Sequence, residues 1–107
     1  MAKFLFQITY TETGLRGILE EGGSKRKEAV DVAIKSLNGW LEARYYSFGE
    51  TDMFIVCELP DNVSASAFSM IASSGGAAKV KTTVLISAEE IDRATKKTVN
   101  YQPPGKT

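Results

Sequence analysis

Four residues of this chain, Arg44, Tyr46, Asp52 and Lys81, carry the side chains best suited to hold an acidic ligand. Arginine and lysine bind carboxylates and enolates, a tyrosine hydroxyl donates hydrogen bonds, and an aspartate can exchange a proton. Alternation along the strands predicted below places Arg44, Tyr46 and Lys81 on one face of a sheet. We take the four as candidate ligand-binding residues. Salt bridges between two copies of the chain are the alternative use of the same charges.

Two loops add weaker signals. The segment Gly49-Glu50-Thr51-Asp52 could hold an acid at the rim of a barrel, but its composition favours a turn with an aspartate-to-backbone bond. The segment Gly22-Gly23-Ser24, followed by Lys25 and Arg26, suits an anion at a helix N-terminus. It lacks the spacing of a phosphate-binding loop, so we favour a loop that caps a helix.

The composition excludes several classes of chemistry. The chain has no histidine and a single cysteine, Cys57, which excludes imidazole catalysis, an internal disulfide and a cysteine-rich zinc site. Thirteen basic and thirteen acidic residues cancel, which argues against a polybasic binder of nucleic acid or membranes. We therefore expect no metal, no cofactor, no nucleic-acid or membrane partner, and a cytoplasmic location. Cys57 lies in an apolar run and is predicted to be a buried structural thiol.

The elements that must position these residues follow from periodicity. Period-two alternation predicts four strands, at 3–10, 40–48, 53–59 and 78–86. Apolar residues at helical spacing predict a short helix after Thr11, a second with Ser24 as its N-cap, and a third after Pro60-Asp61-Asn62. The segment Ser87-Ala88-Glu89-Glu90 is a capping box, which predicts a final helix that ends near Lys97.

The order β-α-β-β-α-β with a terminal helix predicts a ferredoxin-like α+β fold, with an antiparallel four-stranded sheet and helices on one face. We expect one domain over residues 1–105, with the first and third strands central. The second sheet face would carry seven large apolar residues, namely Leu5, Trp40, Tyr46, Phe48, Phe54, Val56 and Leu85. Soluble monomers rarely expose such a surface, so we infer that a second copy covers it as a dimeric α/β barrel. The alternative is a one-residue slip within a strand, which would exchange that strand's two faces.

Seven short segments form a recognisable set: Phe4-Leu5-Phe6-Gln7, Glu21-Gly22-Gly23-Ser24, Leu41-Glu42-Ala43, Phe48-Gly49-Glu50, Glu58-Leu59-Pro60-Asp61-Asn62, Lys81-Thr82-Thr83 and Tyr101-Gln102-Pro103-Pro104-Gly105. As a set they resemble the GYD-domain family, small and mainly bacterial proteins named after a Gly-Tyr-Asp motif. The resemblance runs from about Lys3 to Gly105. It implies a ferredoxin-like fold and dimers, and it implies no established reaction. The chain departs from the family at Thr51, where the motif carries tyrosine.

Three functions remain open at this point. The first is a homodimeric binding protein without catalysis, which holds a small apolar or acidic molecule in or near the dimer barrel. The second, by analogy of fold, is a cofactor-independent monooxygenase or isomerase in which the four candidate residues supply acid, donor and anion clamp. The third is a structural subunit of a larger assembly. The missing histidine and nucleophile motifs favour the first.

Overall fold

Eight elements follow one another in the computed structural model, which describes residues 1–105. The strands are β1 (Ala2–Tyr10), β2 (Trp40–Tyr46), β3 (Met53–Leu59) and β4 (Ala78–Leu85). The helices are α1 (Glu12–Glu21), α2 (Gly23–Ser36), α3 (Asn62–Ser74) and α4 (Ala88–Thr95). Every strand and helix that periodicity predicts is present, with small differences at the ends.

The strands form one antiparallel sheet in the order β2-β3-β1-β4. Phe4 of β1 lies opposite Cys57 of β3 on one side and opposite Val84 of β4 on the other. The first and third strands are therefore central, as the preference for right-handed crossovers predicts. We call the end of the sheet where β1 finishes at Tyr10 the upper end. There α2 begins and α3 ends, so these two helices run antiparallel.

Helices α2 and α3 cover one side of the sheet, which we call the helix face. The core between them consists of Phe4, Phe6, Ile8, Met53, Ile55, Cys57 and Leu59 from the sheet, with Val30, Ile34, Ala65 and Phe68 from the helices. Alternating residues of β1 and β3 supply the sheet part, as predicted. Burial of each large side chain contributes about 1.5–3 kcal/mol, so this layer holds the helices in place.

Side-chain caps fix where the helices begin. The side chains of Thr11 and Asp61 accept hydrogen bonds from Gly14 N and Ser64 N, and the capping box at Ser87 is present as predicted. The bond from Ser64 lowers the pKa of the Asp61 carboxyl below its usual value. The prediction for α2 is wrong. Its cap is Gly22, whose φ of +82° favours glycine over serine.

A β-bulge interrupts β2. Leu41 lies opposite Cys57, but the next residue of β3, Val56, lies opposite Ala43 instead of Glu42. One extra residue is thus inserted into β2, and every later side chain in the strand points to the side opposite to that given by strict alternation.

This bulge corrects the predicted faces. Arg44 and Tyr46 lie opposite the buried Ile55 and Met53, so they point to the helix face. Tyr45 lies opposite Phe54 and points to the other side, which we call the open face. The one-residue slip named above as the alternative therefore occurs, and it is confined to β2.

The chain beyond β4 forms a projecting arm, residues 86–105. Its helix α4 has no buried residue, and Ile91, Val99 and Tyr101 are exposed. The radius of gyration is 17.2 Å, whereas about 13 Å is typical of a compact chain of this length. Within residues 1–105, no helix has the length and apolarity that crossing a membrane requires.

Candidate functional site

Arg44 fixes α2 to the sheet. Its guanidinium Nη1 lies 2.8 Å from Oδ1 of Asp31 and donates a longer bond, 3.4 Å, to the carbonyl oxygen of Lys27. Only 10% of the Arg44 side chain is exposed. A partly buried arginine satisfied in this way holds a helix rather than presenting a free charge.

Tyr46 fixes the first turn of α2. Its hydroxyl donates a hydrogen bond to the carbonyl oxygen of Gly23 at 3.0 Å, and its ring stacks on Phe48 with centroids 5.7 Å apart. A Cβ on Gly23 would stand 3.5 Å from the Tyr46 ring, in ordinary contact. Tyr46 therefore packs closely against the start of the helix.

Asp52 fixes the end of β1. Its carboxylate accepts a 2.7 Å hydrogen bond from the backbone N–H of Tyr10, and its own N–H donates to the carbonyl oxygen of Ile8. Asp52 is 8% exposed, the one buried charged residue in the described chain. The residues before Asp52 form a bend, in line with the predicted turn. The Asp52 carboxylate, however, accepts its hydrogen bond from β1 and not from the backbone of its own turn. Thr51, in place of the family tyrosine, accepts a bond from Gln7.

Lys81 is separated from the other three. Lys81 belongs to β4 and lies opposite Gln7 of β1, where it is exposed on the open face. The predicted common face of Arg44, Tyr46 and Lys81 is therefore wrong, and the bulge in β2 is the reason. A direct role of any of the four in holding a ligand stays a prediction. What the structure shows is that Arg44 and Tyr46 hold α2 and Asp52 holds Tyr10.

These three residues support the wall of a groove between α2 and α3. The groove has a volume of about 410 Å³, within the usual range for small-molecule sites. Phe68, Val30 and Ile8 form its floor, and Ala33 and Ala72 line opposite walls. The small alanine side chains keep the two helices from filling the space between them.

The polar groups at the upper end of the groove are Arg26 and Tyr10. Burial is the main cause that raises the pKa of Tyr10 to about 12; the nearby charges of Tyr46 and Asp52 also raise it, and Arg26 lowers it. The phenol is therefore protonated at neutral pH. Arg26 forms no hydrogen bond or ion pair with any residue between 1 and 105.

Sequence reasoning missed the groove. The sequence signal for a groove is the recurrence of the small residues Ala29 and Ala33 at helical spacing in α2, after Arg26. Alanines in a helix indicate close packing as readily as a cavity, and only the position of α3 decides between them. Of the two cationic residues that follow Gly22-Gly23-Ser24, Arg26 lines the upper end of the groove and Lys25 does not, and anion binding there stays a prediction.

The lone cysteine is buried, as predicted. Cys57 is 0% exposed in the centre of β3, and burial raises the pKa of its thiol to about 12. It is thus a protonated core residue. Across residues 1–105, no three acidic or cysteine side chains come close enough together to bind a metal.

The open face carries a second distinctive surface. Its apolar residues are Leu5, Trp40, Ala43, Tyr45, Phe54, Val56 and Leu85. The bulge brings Ala43 and Tyr45 to this face in place of Tyr46, and Phe48, also predicted here, lies beyond β2 and stacks on Tyr46 instead. Lys79 and Lys81 line its β4 side, whereas Glu42 and Glu58 lie towards β2 and β3. Glu42 pairs with Lys3 at 3.1 Å.

One comparison with known proteins identifies a family. No curated protein and no solved structure matches the chain. A family model described as the GYD domain matches residues 4–95, which span most of β1, all of β3, the bulge, the groove and the whole of α4. Since the match covers most of the 107 residues, the chain belongs to the GYD-domain family.

Proposed function

We propose that this protein is a homodimer that binds a small molecule without transforming it. The groove between α2 and α3 carries the proposal. It is apolar along its length, has two polar groups at one end, and is shaped by three residues, Arg44, Tyr46 and Asp52, whose side chains are engaged in holding its walls. The ligand thus lies near the dimer barrel, on the outer side of each sheet.

The dimer part of the proposal rests on the open face. Seven apolar residues share this face, and exposure of so large a patch is unusual for a monomer. Its charges allow self-complementary pairing: a two-fold arrangement that sets the β4 side of one copy against the β2–β3 side of another would bring Lys79 and Lys81 towards Glu58, which already has Lys3 as its cross-strand neighbour. A second copy therefore matches the face in both apolar character and charge.

The projecting arm supports the same arrangement. Isolated helices shorter than about 12–15 residues are marginal in water. α4 has eight residues and buries none of them in its own chain, although Ile91 offers an apolar contact. A second copy would give α4 a surface to pack on.

Val56→Glu should convert the dimer to a monomer. Val56 lies at the centre of the open face, between Leu5 and Ala43. A buried, unpaired carboxylate there costs several kcal/mol, so we expect the dissociation constant to rise at least about 100-fold. Sedimentation equilibrium would measure it, and circular dichroism would show that the variant is folded.

The matched control is Val63→Glu on the solvent side of α3, where Val63 is 77% exposed. This variant should remain a dimer of twice 11.6 kDa. A monomeric wild type, or a Val56→Glu protein that dimerises as tightly as the wild type, would contradict the sheet-to-sheet arrangement.

Native mass spectrometry of protein purified from its own host should reveal the ligand. We propose that the protein resides in the cytoplasm of a bacterium, a reducing compartment that suits a chain with one free thiol and no disulfide. We expect one reproducible extra mass per chain. The monomeric Val56→Glu variant should keep that mass, because the groove belongs to a single copy, whereas a ligand held between the sheets would be lost.

A groove variant completes the test. Ala29 lines the groove from an exposed position on α2, so Ala29→Trp should fill the space without disturbing the core. We expect a dimer without the extra mass. Retention of the mass by this variant, or its absence from the wild type, would refute binding in the groove.

A further inference from the structure

The positive charge of Arg26 has no role in the fold or in the proposed dimer described above. Arg26 is half-buried at the upper end, yet it forms no ion pair or hydrogen bond within residues 1–105. The chain's other partly buried arginine, Arg44, forms an ion pair with Asp31 at 2.8 Å. A guanidinium in an apolar recess is costly unless an anion satisfies it.

The lining of the groove favours one sign of charge in a ligand. Among its described lining residues there is no aspartate or glutamate, and the remaining polar groups are the hydroxyls of Tyr10 and Ser36. Ser36 lies in the last turn of α2, far along the helix from Arg26 in the first. No acidic residue therefore lines the positive end of the groove, and the Asp52 carboxylate behind it is bound to the backbone N–H of Tyr10.

The rest of the groove is a channel for an apolar chain. From Arg26 it continues past Val30 and Phe68 towards Leu37, between walls made by alanines. A molecule that lies along it would bury a hydrocarbon body against α3 and leave one polar end at Arg26.

We propose that the groove binds small amphipathic carboxylates, with the carboxylate on the Arg26 guanidinium and the hydrocarbon chain between α2 and α3. This inference rests on the proposed function and names its ligand class. The bidentate geometry of arginine suits a carboxylate, and Tyr10, a second hydrogen-bond donor, lines the same groove as Arg26.

Calorimetric titration with decanoate and with 1-decanol tests the proposal. The two probes share a chain and differ in the charged head group. We expect the wild type to bind decanoate and to prefer it over decanol. Arg26→Gln should weaken decanoate binding roughly 10- to 100-fold, since a hydrogen bond to a charged group is lost, and should leave decanol binding unchanged.

Three variants serve as controls. Arg93→Gln makes the same change on α4, away from the groove, and should bind decanoate like the wild type. Arg26→Lys retains the charge without the fork of donors and should bind with intermediate affinity. Ala29→Trp should bind neither probe.

The outcomes separate this inference from the proposed function. Equal binding of both probes, unaffected by Arg26→Gln, would overturn the carboxylate assignment and leave an apolar groove that binds ligands. Failure of both probes to bind, with an intact dimer, would overturn the groove as a binding site together with its ligand class. Unchanged decanoate affinity in Arg26→Gln would refute the role of Arg26 even if the wild type prefers the acid.

Discussion

Phe6→Ala should lower the free energy of unfolding by about 3–5 kcal/mol, because it removes an aromatic ring from the centre of the core. Phe6 is 0% exposed in the central strand β1, and its ring packs on Phe68 of α3 with centroids 4.6 Å apart. The cavity left behind would lie under α3, beside the floor of the groove. Small domains have only about 5–15 kcal/mol of stability, so the loss is a large part of the total.

Urea denaturation followed by circular dichroism would measure the change. Phe6→Leu should cost less, since it retains most of the buried volume. Phe48→Ala removes the same side chain from a position that is 52% exposed, and we expect it to cost less than half as much. If Phe6→Ala and Phe48→Ala had equal effects, the core assigned to the helix face would be wrong.

Asp52→Ala should destabilise the protein by about 1.5–3 kcal/mol, because it removes the acceptor of a charge-assisted hydrogen bond. The N–H of Tyr10 would then be left in a partly buried position without its 2.7 Å partner. Tyr10 lines the upper end of the groove, so the loss should also loosen that wall.

Asp52→Asn is the informative comparison. An asparagine side-chain oxygen can still accept the bond from Tyr10, so this variant should be more stable than Asp52→Ala. Amide hydrogen exchange would check the mechanism directly: the Tyr10 N–H should lose protection in Asp52→Ala and retain most of it in Asp52→Asn. Equal protection in both variants would show that the carboxylate does not hold this end of β1.

The fold could be predicted because several local signals agree. Alternation along β1 and β3 places the buried residues correctly, and the caps at Thr11, Asp61 and Ser87 mark three helix starts. Each of these signals depends only on residues that are close together in the sequence, and the local preferences agree with the overall fold. The order of the elements then leaves few topologies, and the observed sheet is the expected one.

The candidate site could be predicted only in part. The chemistry of Arg44, Tyr46 and Asp52 marks them as functional candidates, but the sheet faces on which Arg44 and Tyr46 lie depend on the bulge. Period-two reasoning cannot detect that extra residue, because the segment from Ala43 to Tyr46 is amphipathic in either register. The groove depends on the distance between two helices that are far apart in sequence, which no local pattern encodes.

The bulge in β2 also bears on how such a chain can vary. Substitution at Tyr45 changes one surface at a time, whereas gain or loss of a single residue between Leu41 and Arg44 exchanges two surfaces at once. The side chains that hold α2 would then point towards the open face, and the aromatic ring of Tyr45 would be forced under the helix. In related chains that keep the groove, the number of residues in this segment should therefore tolerate less change than their identities.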